Sequence, residues 1–401
     1  MINIDLPNIH TPYYLLDLER LVKNFCELKK AFSKEWNNLI IGYSFKTNSL
    51  PWLLNWLKDE DAYAEVVSQP EYELAKKIGF KKIVFNGPYK GFEAMENALN
   101  NDFIVNLDSF NEIEWLKKNS PKDDKIYKVG LRINFDLEKY CHEENIMDDE
   151  PRRFGFNIEN GSFEKAITEL KNMSYIKIVG IHAHNSTRTK SLSVFNTISQ
   201  KIIEAAEMID NQLEYVDIGG SFFGDKPGTP EFWEYAKTIC QILKKRFKPK
   251  HTALIIEPGA SLIASPFYFV CKVVDKKDIK GTRILTVDGS CLNISPQMKG
   301  TSFKIDSNSQ KKIMSQRQVI AGYTCIEKDR LGQLEKSNEL YIDDILIFHN
   351  TGAYSMALSP NFIQYYPAVV VKDRNKFFYA RKPWSIEEYM QKSILDDSQL
   401  I

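Results

Sequence analysis

One lysine in this chain closes an apolar run: the stretch IIGYSFKTN places Lys46 directly after residues that read as a buried strand. A lysine so placed can lose its charge by desolvation and act as an amine nucleophile able to form a Schiff base. An ordinary solvated lysine at a strand end is the alternative. Polar groups also stand in or at the ends of apolar runs elsewhere. They are Glu65, with Ser68 and Glu71 just beyond; Asp108; Arg132; His182 and His184; Asp217 with Gly219, Gly220 and Ser221; and Glu257 with Pro258 and Gly259. The missing side chains of Gly219 and Gly220 would let backbone N–H groups approach a phosphate, or merely form a tight turn. His182 and His184 share a strand face, but with no third Cys or His nearby they give no expectation of a metal.

The elements that must position these groups show a repeating rhythm. Strand-like runs at 39–45, 62–67, 82–86, 103–108, 125–135, 176–184, 213–219 and 251–257 alternate with helical patterns at 50–58, 71–78, 92–99, 110–118, 163–171, 192–209 and 231–247. A short apolar segment at 11–17 and a helical pattern at 18–32 precede them, and Ser49, Ser68, Ser109 and Ser162 stand where N-caps are expected. This alternation, over about 230 residues, is the count and size of a (β/α)8 barrel. The absence of a GxGxxG after the first run disfavours an open doubly wound sheet. After Pro266 the texture changes to strands at 267–275, 283–287, 318–324, 344–348 and 368–372, with turn-rich links. The polar stretch 290–316 reads as a mobile or substrate-facing loop, and the tail from Trp384 as a short helix. The expectation is an α/β chain, a (β/α)8 TIM barrel over 18–265 followed by a C-terminal all-β domain over 266–401 together with 1–17. In such a barrel the active site lies at the C-terminal strand ends, where the polar groups above stand.

Bulk composition excludes some classes. Lys+Arg and Asp+Glu both total 53, so the net charge is zero, which argues against a nucleic-acid partner or a basic membrane surface. No apolar stretch approaches a membrane span, and the N-terminus has no signal-like charge and apolar pattern. The six cysteines are scattered with no CxxC pair, which leads us to expect reduced thiols and a cytoplasmic protein.

A lysine, a glutamate, an imidazole and a glycine-rich anion site on barrel strand ends are together what pyridoxal 5'-phosphate requires. The lysine makes the aldimine, the glycines take the phosphate, a carboxylate keeps the pyridine nitrogen protonated and an imidazole stacks on the ring. On these residues the sequence resembles the fold type III pyridoxal-phosphate decarboxylases, the group of the diaminopimelate, ornithine, arginine and carboxynorspermidine decarboxylases. TPYYLLD is similar to their TPxYxxD, Tyr43-Ser44-Phe45-Lys46-Thr47-Asn48 to YAxKAN, and Glu65-Val66-Val67-Ser68 with Glu71 to DvaSxxE. Phe154-Gly155 is similar to KFG, His182 to Thr187 to HxHxGS, Asp217 to Ser221 to DxGGG, Glu257-Pro258-Gly259 to EPGR, Gly322 to Cys325 to GPxC, and Gly352 to Ser355 to GAYx.

The resemblance implies decarboxylation of an amino acid or amino-acid conjugate at Cα through a Lys46 aldimine. It implies that His184 stacks on the ring, that Glu257 meets the pyridine nitrogen, and that Glu65, Arg132, Thr187, Gly219, Gly220, Ser221, Gly259 and Tyr354 bind the cofactor. It also implies a homodimer with shared active sites, in which the β domain brings Cys325, an acid for Cα, to the other subunit's cofactor. The chain departs from the pattern where the substrate and the phosphate are held. Ala260 replaces the arginine of EPGR, leaving the phosphate charge to Arg132 or to backbone and hydroxyl groups; Ile326 replaces the acidic residue after the cysteine; Ser295 replaces an arginine before proline. Ser295, Ile326, Glu327 and Asp329 are therefore the substrate-facing candidates. Racemisation or epimerisation on the same scaffold, and a homologue that binds the cofactor without turnover, are the alternative readings.

Overall fold

The computed structural model describes residues 5–122, 124–147, 150–209, 212–224, 226–298, 302–314 and 316–394. They form two compact units, one of Val22–Leu262 and one of Met1–Leu21 with Ile263–Ile401.

The first unit is a closed parallel barrel. Its strands are β1 (Leu39–Ser44), β2 (Tyr63–Val66), β3 (Ile83–Phe85), β4 (Ile104–Leu107), β5 (Tyr127–Asn134), β6 (Ile176–His182), β7 (Tyr215–Asp217) and β8 (Ala253–Ile256). Neighbours pair in sequence order, β8 pairs with β1, and the two-residue strand Phe156–Asn157 adds to β5. Most strand residues are apolar because both faces are covered, by the barrel interior and by the helical ring, as in the fully buried Ala253–Ile256. Inside, Val84, Val179, Tyr215, Ala253 and Ile255 pack as one layer. Gly130 and Gly180 make this layer possible, since a Cβ on either would run into the phenol of Tyr215.

The helices follow the expected periodicity, with Phe110–Lys118 and Leu192–Ile209 at the expected bounds. Ser68 caps Gln69–Ile78 by accepting from the Glu71 N–H, and Glu112 accepts from the Ser109 N–H. The other two expected caps differ. Leu50 is the N-cap of Pro51–Asp59, with Pro51 setting the first turn. Gly161 precedes Ser162–Lys171, and the Ser162 hydroxyl instead donates to the Asn157 carbonyl. Among the described residues, no helix is long and apolar enough to cross a membrane.

The second unit is a mixed β structure. The segment expected only as apolar, Tyr13–Asp17, is a strand lying antiparallel to Phe267–Ile279 and parallel to Ala368–Asp373. Tyr13, Leu15, Tyr268, Val270, Ile347 and Val370 form its core. The remaining expected strands appear as Thr282–Val287, Arg317–Ala321 and Ile345–His349. Strands that the sequence reading did not anticipate are Ile305–Ser307, Ile313–Met314, Arg330–Leu334, Ser337–Asn338 and Lys376–Arg381. Lys376–Arg381 shows why: it is an edge strand without a buried face, so no apolar alternation marks it. The expected loop 290–316 carries the helix Cys291–Ile294 and two of these strands; residues 299–301 and 315 lie outside the described ones. The expected terminal helix is Ile386–Met390.

Candidate active site

Chain direction places Lys46 in a single 3-10 turn, Phe45–Thr47, at the C-terminal end of β1. Its Nζ lies 2.7 Å from Ser44 Oγ and 2.8 Å from Glu65 Oε2, and the Ser44 hydroxyl donates to the same Glu65 oxygen at 2.6 Å. Glu65 is buried while the lysine side chain is 36% exposed, so the amine is reachable and its counter-charge is fixed. The other Glu65 oxygen accepts from Asn86 Nδ2 at 3.1 Å, and the same amide nitrogen lies 2.5 Å from Glu257 Oε1. Lysine and both glutamates therefore belong to one hydrogen-bonded cluster inside the barrel mouth.

Glu257 follows β8 and is buried. Burial alone would raise its pKa, but the charges of His182 and Lys46 and the bonds to its oxygens outweigh that, and it stays ionised. Asp217, on β7, moves the other way: burial, then the charge of Glu257, holds its carboxyl well above the usual range and keeps it protonated. His182 Nε2 is 3.6 Å from Glu257 Oε2, and ligand-type atoms of His182, Asp217 and Glu257 all lie within 4.8 Å of one another. The two histidines of HxH thus do different work. His182 faces this acidic pair, whereas His184 accepts the Gly220 N–H at Nδ1, 3.1 Å away. Burial and the charge of Lys46 push the His184 pKa down to about 3, so its ring is neutral.

The loop after β7 brings backbone close to these groups. Gly219 has φ 69°, and a Cβ there would crowd the His184 ring. A Cβ on Gly220 would strike the Glu257 carbonyl, and one on Gly259 would strike Thr47 Oγ1. Ser221 holds φ 73°, a left-handed conformation uncommon outside glycine. Thr187 is buried and its Oγ1 accepts from the Lys190 N–H at 3.1 Å. Arg132 is already matched: it pairs with Asp108 at 2.9 Å and stacks 4.5 Å from the Phe154 ring centre. Asp108 also accepts from the Gly155 N–H at 3.2 Å, which ties the Phe154-Gly155 element to β4.

Of the residues expected in the second unit, Cys325, Ile326, Glu327 and Asp329 lie on one turn there. Asp329 is buried and accepts from Ser290 Oγ, the Cys291 N–H, the Thr324 N–H and Thr324 Oγ1. It anchors the turn that presents Cys325, which is exposed, with Ile326 half-buried and Glu327 exposed beside it. Ser295 ends the helix Cys291–Ile294 and lines a cavity of about 660 Å³ whose charged walls are Arg317, Lys328 and Arg330. Tyr354 is 45% exposed with φ 54°.

The sequence reading passed over Asn86, Asn106 and Tyr215. Asn86 ends the run KIVFN, so a polar residue at a strand end was the available signal; Asn106 and Tyr215 sit within strands and gave none.

The barrel residues fit pyridoxal phosphate on their own evidence. An amine rests on a buried carboxylate, a second carboxylate is held ionised, and glycine backbone is packed as closely as sterics allow. Buried polar atoms of Thr47, Asn185 and Ser261 have no protein partner and are suited to a polar ligand.

Comparison with known proteins agrees. Residues 18–264 match the family model described as the pyridoxal-binding domain of pyridoxal-dependent decarboxylases, and the chain belongs to that family. It is a pyridoxal-phosphate-dependent amino-acid decarboxylase. The chain is 25% identical to the diaminopimelate decarboxylase of Methanocaldococcus jannaschii, over 96% of this chain and 91% of that one. It is 24% identical to the L-glutamyl-[BtrI acyl-carrier protein] decarboxylase of Niallia circulans, over 98% and 95%. The crystal structure of the M. jannaschii diaminopimelate decarboxylase superimposes with a TM-score of 0.87 at 24% identity, covering 97% of this chain and 93% of that one.

Proposed function

We propose that Lys46 is the residue that holds the cofactor and releases the amine product, and that the other barrel residues tune it. Pyridoxal phosphate supplies the electron sink for the bond to the departing carboxylate. Lys46 offers the amine, and Glu65 with Ser44 orients Nζ and balances its proton. Glu257 presents an ionised oxygen to a ring N–H, and His184 a flat neutral imidazole to the ring face. Backbone N–H groups of Gly219, Gly220, Ser221 and Gly259, the Thr187 hydroxyl and Tyr354 serve the phosphate, in place of the arginine absent at Ala260. Cys325 returns a proton to Cα.

The observation that carries this reading is the 2.8 Å contact of Lys46 Nζ with buried Glu65, which shares the Asn86 amide with ionised Glu257. Lys46→Ala is expected to lose the visible band of the lysine-bound cofactor and to lower carbon dioxide release at least a thousandfold, roughly the loss of a covalent catalyst. Normal turnover by this variant would sink the reading.

For the substrate's far end we propose a carboxylate or a neutral conjugate rather than an ammonium. Ile326 offers no charge to an amine, and among the described residues the charged groups lining the cavity beside Ser295 are the cations Arg317, Lys328 and Arg330. The matching experiment compares carbon dioxide release from diaminopimelate, glutamate and acyl-carrier-linked glutamate with that from ornithine and arginine; preference for the dibasic pair contradicts it. We also propose a homodimer in which the β unit of one subunit completes the barrel site of the other. All six cysteines are unpaired, which supports work in the reducing cytoplasm.

A further inference from the structure

Beneath the site runs a chain of side-chain hydrogen bonds with one allowed direction. The Tyr215 hydroxyl donates to Asn106 Oδ1 at 2.7 Å, and Asn106 Nδ2 donates to Asn86 Oδ1 at 2.8 Å. Asn86 Nδ2 then meets both carboxylates, Glu65 Oε1 at 3.1 Å and Glu257 Oε1 at 2.5 Å. These five residues come from five different barrel strands or their ends, and each is at most 4% exposed. A reversed Asn86 amide would set its carbonyl oxygen against two carboxylates. A reversed Asn106 would set its carbonyl oxygen against the Asn86 carbonyl oxygen. Only the observed direction satisfies every member, and it requires acceptor oxygens at the far end, which the two carboxyl groups supply.

We infer that Asn86, aligned through Asn106 and Tyr215, is a positioning residue for the decarboxylation: it holds Glu65 and Glu257 as acceptors at one fixed separation, each aimed at its own part of the cofactor site. Two carboxyl groups brought this close in a low-dielectric interior need donors to hold them apart and in place. The groups facing them are Ser44, Lys46 and, more distantly, Glu71 and Asp217 for Glu65, and His182, His184, Asp217 and Lys46 for Glu257. The cations are therefore shared unequally, and Asn86 is the neutral donor that serves both carboxylates.

The test uses Asn86→Ala and Tyr215→Phe. Tyr215→Phe keeps the ring and removes only an oxygen that touches neither carboxylate. In cofactor-free protein carrying ¹³C-labelled glutamate, NMR titration is expected to show the Glu257 proton affinity about tenfold higher in Asn86→Ala, and to move less in the same direction in Tyr215→Phe. In the loaded enzyme the acid limb of kcat should shift to higher pH by the same order, with kcat falling about tenfold or more and KM changing little. A purely structural role predicts a lower Tm with both titrations unmoved, and that result overturns the inference. If Asn86→Ala fails to fold, Tyr215→Phe decides: an unshifted acid limb and an unshifted glutamate titration reject it.

Discussion

The His184 ring accepts the Gly220 N–H at Nδ1, 3.1 Å away, so its remaining proton sits on Nε2 and the imidazole is neutral. Its pKa is about 3 in the folded protein against an ordinary 6.5, the depression coming first from burial and then from Lys46. The sign follows from linkage. Below pH 6.5 the unfolded chain binds a proton that the folded one refuses until about pH 3, so stability present above 6.5 is lost as the pH falls. For cofactor-free protein the contribution is about 1.4 kcal/mol per pH unit within that window. His184→Gln removes it. Urea unfolding of both proteins between neutral and mildly acidic pH should show the variant losing less stability per unit; parallel curves would reject the assignment.

At the scale of the element, the loop after β7 is unusual in one residue. The resemblance to DxGGG places a glycine where this chain has Ser221, and Ser221 does adopt the left-handed φ of 73° that a glycine would tolerate. A side chain in this region costs about 1–2 kcal/mol, partly offset because glycine gains more freedom on unfolding. Ser221→Gly is therefore expected to stabilise the cofactor-free protein by about 0.5–1 kcal/mol in chemical denaturation. Unchanged or lowered stability would show that the serine hydroxyl compensates for the backbone. The strain sits in the backbone segment proposed to meet the phosphate, as is common at functional loops.

For the whole molecule, the proposed sharing of sites between subunits has a direct consequence. Lys46 belongs to the barrel unit and Cys325 to the β unit. If each site draws Lys46 from one subunit and Cys325 from the other, a mixture of Lys46→Ala and Cys325→Ala chains forms heterodimers with one intact site. Random mixing of two inactive proteins should then restore about a quarter of wild-type carbon dioxide release, as expected for a two-fold dimer. No recovery after verified subunit exchange would place both residues in one subunit's site.

Much of this was legible in the chain itself. The alternation of short apolar runs with stretches of 3.6-residue period marks the barrel because strands buried on both faces are mostly apolar and the covering helices are amphipathic; both are local properties. Lys46, Glu65, His184 and Glu257 were readable because each stands near or just past the end of an apolar run, and in a parallel barrel every such position lies at the same end. The β unit was less so: its edge strands bury too little to show a period, and Tyr13–Asp17 finds its partners far away, at Phe267–Ile279 and Ala368–Asp373. Only the tertiary structure decided the state of the site. Asn86 reaches Glu257 across 171 residues and Tyr215 reaches Asn106 across 109, because barrel closure brings strand ends together whatever their spacing in sequence. That Asp217 keeps its proton while Glu257 loses one follows from burial and neighbouring charge, quantities that exist only once the chain has folded.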